Sequence, residues 1–140
     1  MTVFDFVAGT GGFGDPSAAD VVVAGFPDTL DEFFGADTLA FAVSFIFVGP
    51  DGEPTDVDGD RHLDTALNEV YLNPAIDWTQ EAGGPGFDLE TTILHELGHA
   101  LGLGHFSPPP DSVMGPTYSG VQRTLHAMDR AALCLVHGRN

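Results

Sequence analysis

The sequence feature that most constrains the fold is HELGHALGLGH, which places three histidines at spacings of four and six. On an α-helix, positions i and i+4 lie on the same face, so His95 and His99 can point at one target. A residue six positions further along the helix lies on the opposite side. For His105 to join the other two, the chain must end the helix and turn back. Gly102 can adopt the positive φ that this turn needs.

Three imidazoles brought together in this way indicate a catalytic zinc site. A structural zinc site is closed by a fourth protein ligand, whereas catalytic zinc has three protein ligands and one open position. Glu96 follows the first histidine and leans over the same site. We therefore predict that His95, His99 and His105 bind zinc, and that Glu96 is the general base that takes a proton from water and later delivers it to the leaving amine.

The same segment resembles the motif H-E-x-x-H-x-x-G-x-x-H of the metzincin metallopeptidases at every fixed position. Met114 in SVMGP resembles their Met-turn, a methionine beneath the zinc site. Within the metzincins the chain is most similar to the matrixins, whose M-x-P-x-Y segment matches MGPTY. This resemblance implies a zinc-dependent endopeptidase acting on protein or peptide substrates. It also implies that Pro116 and Tyr118 line the pocket for the substrate residue just after the cleaved bond.

The order of strands and helices predicts an α+β fold. The family resemblance implies that this fold is of the metzincin (zincin) type, with a twisted mixed β-sheet, an active-site helix and a C-terminal helix. The predicted strands, which are β-branched or apolar runs, are Val3–Val7, Asp20–Phe26, Leu39–Val48 and Glu69–Leu72. The predicted helices, which show helical spacing or a capping residue, are a short helix ending at Gly35, the active-site helix from Asp88 to Gly102, and Thr124–His137.

The chain of 140 residues has the size of one domain. We predict a single catalytic domain over 1–140, with a poorly defined N-terminal segment at 1–19, the sheet and active-site helix at 20–102, and the Met-turn and C-terminal helix at 103–140. Matrixins carry a first strand and a long helix ahead of the strand at 20–26. Residues 1–19 show no helical period, so we expect part of that N-terminal strand and helix to be lacking. Phe106 and His137 also depart from the family, which usually has Ser and Tyr there.

Four smaller predictions concern residues outside the histidine motif. LNEVYLNPAIDWTQ is similar to the edge strand and Trp-Thr that precede the zinc helix of the matrixins, so we expect an extended peptide to add to EVYLN and Trp78 to pack. Cys134 lies in the apolar run Ala131–Val136, which favours a buried, inert thiol. The histidines outside the motif are expected to be solvated, and these are His62, His126 and His137.

The charge balance bears on partners. The chain has 21 acidic residues against four arginines and no lysine, for a formal net charge of -17. This charge repels phosphate backbones and anionic lipids, which counts against nucleic-acid and membrane partners. Met1–Gly14 lacks the basic start and continuous apolar region of a signal peptide, and no window is apolar enough to span a bilayer. The family resemblance nevertheless implies a secreted protein.

The acidic loop over residues 49–64 has two interpretations. Three of its aspartates have EF-hand spacing, yet Arg61 replaces the required glycine and Leu67 replaces the closing glutamate. The loop is either a looser calcium site or a solvated acidic segment of a chain adapted to salt. Two alternatives to a peptidase follow: an inactive zinc-binding domain derived from a metzincin, and a calcium-binding acidic domain. If the loop is a calcium site, its predicted ligands are Asp56, Asp58, Asp60 and Asp64.

The charge of -17 predicts that salt stabilises the protein. Repulsion among the acids should be screened as the Debye length falls to about 3 Å near 1 M salt. We expect the melting temperature to rise between low and molar NaCl, and a flat or falling response would contradict the repulsion argument. A larger effect of CaCl₂ than of MgCl₂ at equal ionic strength would point to calcium binding in the acidic loop.

Overall fold

The computed structural model describes residues 6–8, 21–25, 37–57, 59, 63–107 and 111–138. Within them, four strands form one mixed sheet: β1 (Phe6–Ala8), β2 (Val21–Gly25), β3 (Ala40–Ile46) and β4 (Thr65–Leu72), in the order β1-β2-β4-β3. The first three strands across the sheet are parallel, and β3 is antiparallel to β4. The predicted mixed sheet of an α+β fold is confirmed. The predicted short helix ending at Gly35 lies outside the described residues.

The prediction that EVYLN forms the sheet edge is wrong. Strand β4 lies inside the sheet, where Val70 is opposite Val23 of β2 and Ala42 of β3. Val70 and Tyr71 are accordingly 0% and 1% exposed. The edge of the described sheet on this side is β3 instead. A short apolar run looks the same in an inner strand and in an edge strand, so the hydrophobic pattern could not distinguish the two positions.

The active-site helix, α1 (Leu89–Ala100), packs on β3 and β4. It begins as predicted at Asp88, whose carboxylate accepts the N–H of Thr91 at 2.9 Å and so caps the first turn. Just before it, β5 (Trp78–Thr79) and β6 (Phe87–Asp88) form a short parallel pair. None of the helices in the described ranges is long and apolar enough to cross a membrane.

The C-terminal helix, α2 (Ala127–Val136), begins three residues later than predicted because His126 is its cap. The Nδ1 atom of His126 accepts the N–H of Met128 at 3.2 Å, and the carboxylate of Asp129 accepts the N–H of His126 at 2.7 Å. His126 is therefore a half-buried capping residue. His137, at the other end, is exposed and bonds the carbonyl of Leu101 at 2.9 Å, which joins the ends of the two helices.

The prediction that Cys134 is buried is also wrong, because Cys134 is exposed. Asp129 is fully buried, and the half-buried Ala132, Leu133 and Val136 follow it at helical spacing. Cys134 lies on the opposite face of α2. The apolar run suggested burial, but the helical period decides which of its residues face inward. The buried apolar residues of the described chain are Leu67, Val70, Tyr71, Leu103, Val113 and Met114.

Candidate metal centre

The end of α1 brings the third histidine back toward the first two. Gly102 has a φ of 84°, as the sequence predicts for a glycine that ends a helix and reverses the chain. Its N–H donates to the carbonyl of His99, and the N–H of Leu103 donates to the carbonyl of Gly98, both at 2.9 Å. These two bonds satisfy the last carbonyls of the helix and direct the following residues toward His105.

The three histidines converge on one point. The Nε2 atom of His99 lies 3.0 Å from that of His95 and 3.0 Å from that of His105, and the remaining pair is 3.1 Å apart. In the part of the chain that the structure describes, these three histidines form a group whose ligand atoms lie close enough together to hold a metal ion.

The geometry fits a zinc ion. The Nδ1 atoms of His95 and His99 lie 2.7 Å from the carbonyls of Val113 and Leu103. A carbonyl only accepts, so each Nδ1 carries the proton and each Nε2 keeps its lone pair. Lone pairs facing each other at this distance repel unless they share a cation. Zinc held tetrahedrally at about 2.0–2.1 Å from each nitrogen would separate the nitrogens by roughly 3.3 Å, close to the spacing observed.

Burial favours the neutral form of these ligands. Burial lowers the pKa of His95, and the neighbouring histidines lower it further. The pKa of His105 is lowered by burial and by His99. Both rings therefore favour the neutral form, which is the form able to bind a metal ion, more strongly than a free histidine does.

Glu96 lies beside the histidines with its carboxylate almost completely buried, at 5% exposure. The backbone N–H of Ala42 in β3 bonds this carboxylate, while Oε2 has no hydrogen-bond partner among the described residues. Burial raises the pKa of Glu96 to about 7. A cation beside it would lower that pKa again. The side chain is thus held next to the three histidines by a backbone contact from β3.

Met114 is completely buried beneath α1. A Cβ atom added to Gly98 would lie 2.2 Å from the sulfur of Met114, so a glycine is needed where the helix crosses the methionine. The turn that carries Met114 also supplies the Val113 carbonyl that holds His95. The predicted Met-turn therefore lies where the resemblance implies, under the histidine helix.

Asp129 of α2 fixes this turn. Its carboxylate accepts the hydroxyl of Ser112 at 2.6 Å and the N–H of Val113 at 3.1 Å. The Ser112 hydroxyl in turn accepts the N–H of Met114 at 3.1 Å. Burial opposes the charge on Asp129, yet these hydrogen bonds and that from His126 lower its pKa. An ionised, fully buried carboxylate thus connects α2 to the residue that orients His95.

A cleft of about 690 Å³ opens over the histidines. One side is β3 and the residues before it, from Asp37 to Ala42, and the other side is the segment after Met114. Pro116 and Tyr118 both line this cleft, with Pro116 exposed and Tyr118 half-buried. The Tyr118 ring packs edge-on against Phe87, with 5.1 Å between ring centroids. The structure therefore brings both predicted pocket residues to the histidine site.

The predicted calcium site is not assembled by the described residues. Asp58 and Asp60 lie outside them. Asp56 is exposed, and the carboxylate of Asp64 accepts the N–H of Val57 at 3.0 Å, which is a contact within the loop. Calcium binding in this loop stays a prediction.

One interaction near the site was not predicted. Arg123 donates to both carboxylate oxygens of Asp88, with the shortest contact at 2.6 Å. The sequence indicated Asp88 only as a helix cap. The composition did offer a signal for Arg123, because the chain has only four basic residues against 21 acidic ones. Its partner, 35 positions away, could not be identified from the sequence.

A mixed sheet, a helix that carries two histidines across it, and a third histidine beyond a glycine turn define a metzincin-type fold. The family model for matrixins (peptidase family M10) matches residues 36–138. The chain belongs to the matrixin family, a family of metalloendopeptidases for which zinc is implied.

Individual relatives agree with this assignment. Metalloendoproteinase 4-MMP of Arabidopsis thaliana is 39% identical over 79 residues, which are 48% of this chain and 21% of that protein. Human matrix metalloproteinase-25 is 42% identical over 64 residues, 46% of this chain and 10% of the relative. Mouse matrix metalloproteinase-19 is 31% identical over 120 residues, which are 84% of this chain and 21% of that protein. The chain thus spans about a fifth or less of the length of these relatives.

The contact between Gly98 and Met114 yields a prediction with an internal control. Gly98→Ala would place a methyl group 2.2 Å from the Met114 sulfur, and such overpacking typically costs about 1–3 kcal/mol. Gly104→Ala meets nothing within 4 Å and should change the free energy of unfolding by less than about 0.5 kcal/mol. Urea denaturation of both variants measures this. Equal stability of the two variants would mean that the methionine does not pack against the helix at Gly98.

Proposed function

We propose that this chain carries the catalytic site of a zinc-dependent endopeptidase, with His95, His99 and His105 as zinc ligands and Glu96 as general base. The observation that carries the proposal is the convergence of three imidazole nitrogens within 3.0–3.1 Å of one another. Membership of the matrixin family supports the same reaction class. Because the chain spans a small part of its relatives, this proposal concerns the site and not a whole protein.

The ion and the protein would divide the chemistry. A zinc ion at this site supplies Lewis acidity, which makes water acidic near pH 7 and withdraws electron density from a peptide carbonyl. Glu96 takes the proton of the attacking water and delivers it to the leaving amine. Its buried Oε2, which has no partner among the described residues, is the atom suited to hold that proton. The Ala42 N–H restrains the carboxylate.

The substrate would bind as an extended strand along β3. The edge position of this strand makes it the element that can accept another strand, in place of EVYLN. A peptide on β3 would run through the cleft, with Glu96 and the histidines beneath it. The residue after the cleaved bond would enter the space beside Pro116 and Tyr118. We also propose, on the family resemblance alone, that the protein acts outside the cell.

The zinc assignment predicts the effect of removing one imidazole. His95→Ala, His99→Ala and His105→Ala should each lose the stoichiometric zinc and lower the melting temperature, because the energy of metal binding is also folding energy. His137→Ala, which removes an exposed imidazole, should keep about one zinc ion per chain. Metal analysis after exhaustive dialysis measures the stoichiometry. Retention of zinc by all three motif variants would exclude these histidines as the ligands.

The role of Glu96 predicts a variant that separates metal binding from catalysis. Glu96→Gln should keep zinc, because the three imidazoles are intact, but should lose about 10²–10⁴ in rate of peptide hydrolysis. Glu81→Gln is the control, since it removes the same charge at an exposed position. Zinc content and hydrolysis are measured on the same preparations.

Two outcomes would overturn the assignment. Retained activity in Glu96→Gln would remove Glu96 from the mechanism. A wild-type chain that binds zinc but cleaves no peptide would support the inactive zinc-binding alternative instead.

A further inference from the structure

The cleft wall formed by residues 115–122, which we call the pocket wall, contains no fully buried residue. Pro116 and Thr117 are exposed, whereas Tyr118 and Gln122 are half-buried. A segment with so little buried apolar surface has low local stability. Polar contacts must therefore set its position against the rest of the cleft.

Three polar contacts join the pocket wall to the first turn of α1. The N–H of Asp88 donates to the Tyr118 hydroxyl at 3.1 Å, and the N–H of Gln122 donates to the Thr91 hydroxyl at 2.8 Å. Arg123, the residue directly after the wall, donates to both carboxylate oxygens of Asp88 at 2.6–3.2 Å. Both the middle and the end of the wall are thus fixed to the same turn of helix.

Two of these contacts lead to the carboxylate of Asp88, which is completely buried. Arg123 binds it directly, and Gln122 is joined to it through the Thr91 hydroxyl. The Oδ1 atom of Asp88 accepts both the N–H and the hydroxyl of Thr91. A buried carboxylate needs a countercharge, and Arg123 provides it through two donor nitrogens. Arg123 lowers the pKa of Asp88 to about 2, so the pair persists at neutral and mildly acidic pH. Arg123 also donates to the carbonyl of Gln80 at 2.7 Å.

We propose that Arg123 is a positioning residue: by binding Asp88 it fixes the pocket wall and so determines which side chain after the cleaved bond is accepted. Arg123 is not among the residues that line the cleft. Arg123 acts through Tyr118 and Gln122. Loss of its bonds to Asp88 would free the end of the pocket wall next to Gln122. It would also remove the countercharge from the first turn of α1, which holds Tyr118 in the middle of the wall. This inference rests on the proposed function.

Kinetics on matched peptides test the proposal. The peptides differ only in the residue after the cleaved bond, which is Ala, Leu or Phe. A well-formed apolar pocket discriminates between such residues by about 10–200-fold in kcat/KM. We expect Arg123→Gln to reduce this ratio by roughly tenfold, mainly through a higher KM for the larger residues, because the wall that contacts them is no longer fixed. A Glu96 variant, in contrast, should lower kcat for every peptide alike.

Three further variants control for charge and folding. Arg130→Gln makes the same charge change at an exposed arginine on α2 and should leave the selectivity ratio unchanged. Asp88→Asn keeps a capping side chain but removes the charge, so it should reproduce the effect of Arg123→Gln. The double variant should lose little more selectivity than Arg123→Gln alone, because both substitutions remove the same ion pair between Arg123 and Asp88. Zinc content and melting temperature verify that each variant is folded under the assay conditions.

Hydrogen exchange supplies a readout that does not depend on activity. In Arg123→Gln the amides of Asp88 and Gln122, which bond across the contact between the wall and α1, should exchange at least roughly tenfold faster, with those of 94–100 in α1 unchanged. Unchanged exchange of these two amides, or an equal loss of kcat for all peptides with the selectivity ratio retained, would overturn the inference. Failure of the proposed function would look different, because the wild-type chain itself would then bind zinc without cleaving any of the peptides.

Discussion

The convergence of three imidazole nitrogens is the constraint on which the rest of the site depends. The Nε2 atoms lie 3.0–3.1 Å apart, so the imidazole rings must be oriented by contacts outside the point where they meet. For His95 and His99 that contact is a hydrogen bond from Nδ1 to a backbone carbonyl, of Val113 and Leu103 respectively. Each carbonyl belongs to chain that follows α1, so the helix alone cannot form the site. The glycine turn and the methionine turn are needed to orient the two imidazoles of the helix they follow.

The need to orient His95 through the turn at Val113 explains the role of α2, a helix with little apolar packing of its own. Helix α2 has one fully buried residue in its described length, the charged Asp129. That residue holds Ser112 and Val113, and Val113 holds His95. A buried carboxylate is unfavourable unless hydrogen bonds compensate it, and here they come from the turn and from the start of α2. Asp129 attaches the start of this helix to the turn that orients His95, which couples the folding of α2 to the orientation of that imidazole.

Several features that follow from local rules were predicted, although the exposure of Cys134 and the start of α2 were not, and features that depend on distant contacts were less accessible. Helical spacing and the glycine at position 102 were enough to bring together His95, His99 and His105, and the cap at Asp88 was found from its residue type. Strand order was not accessible, because an apolar run has the same pattern at the edge and inside the sheet. The partner of Asp88 was not predicted, for a related reason. Arg123 lies 35 positions away, and no periodicity connects the two residues.

The two kinds of charge in this chain respond differently to salt. The excess of 17 negative charges is a property of the whole sequence, and repulsion between exposed acids is screened over about 10 Å at 0.1 M salt. The contact between Arg123 and Asp88 is at 2.6 Å, and the carboxylate is completely buried, whereas the arginine side chain is 26% exposed. Such a pair is screened far less than a surface pair. Rising salt therefore relieves the repulsion that opposes folding while leaving the pocket wall attached to α1. In a chain with only four cationic side chains, at least this one is thus placed against a buried carboxylate.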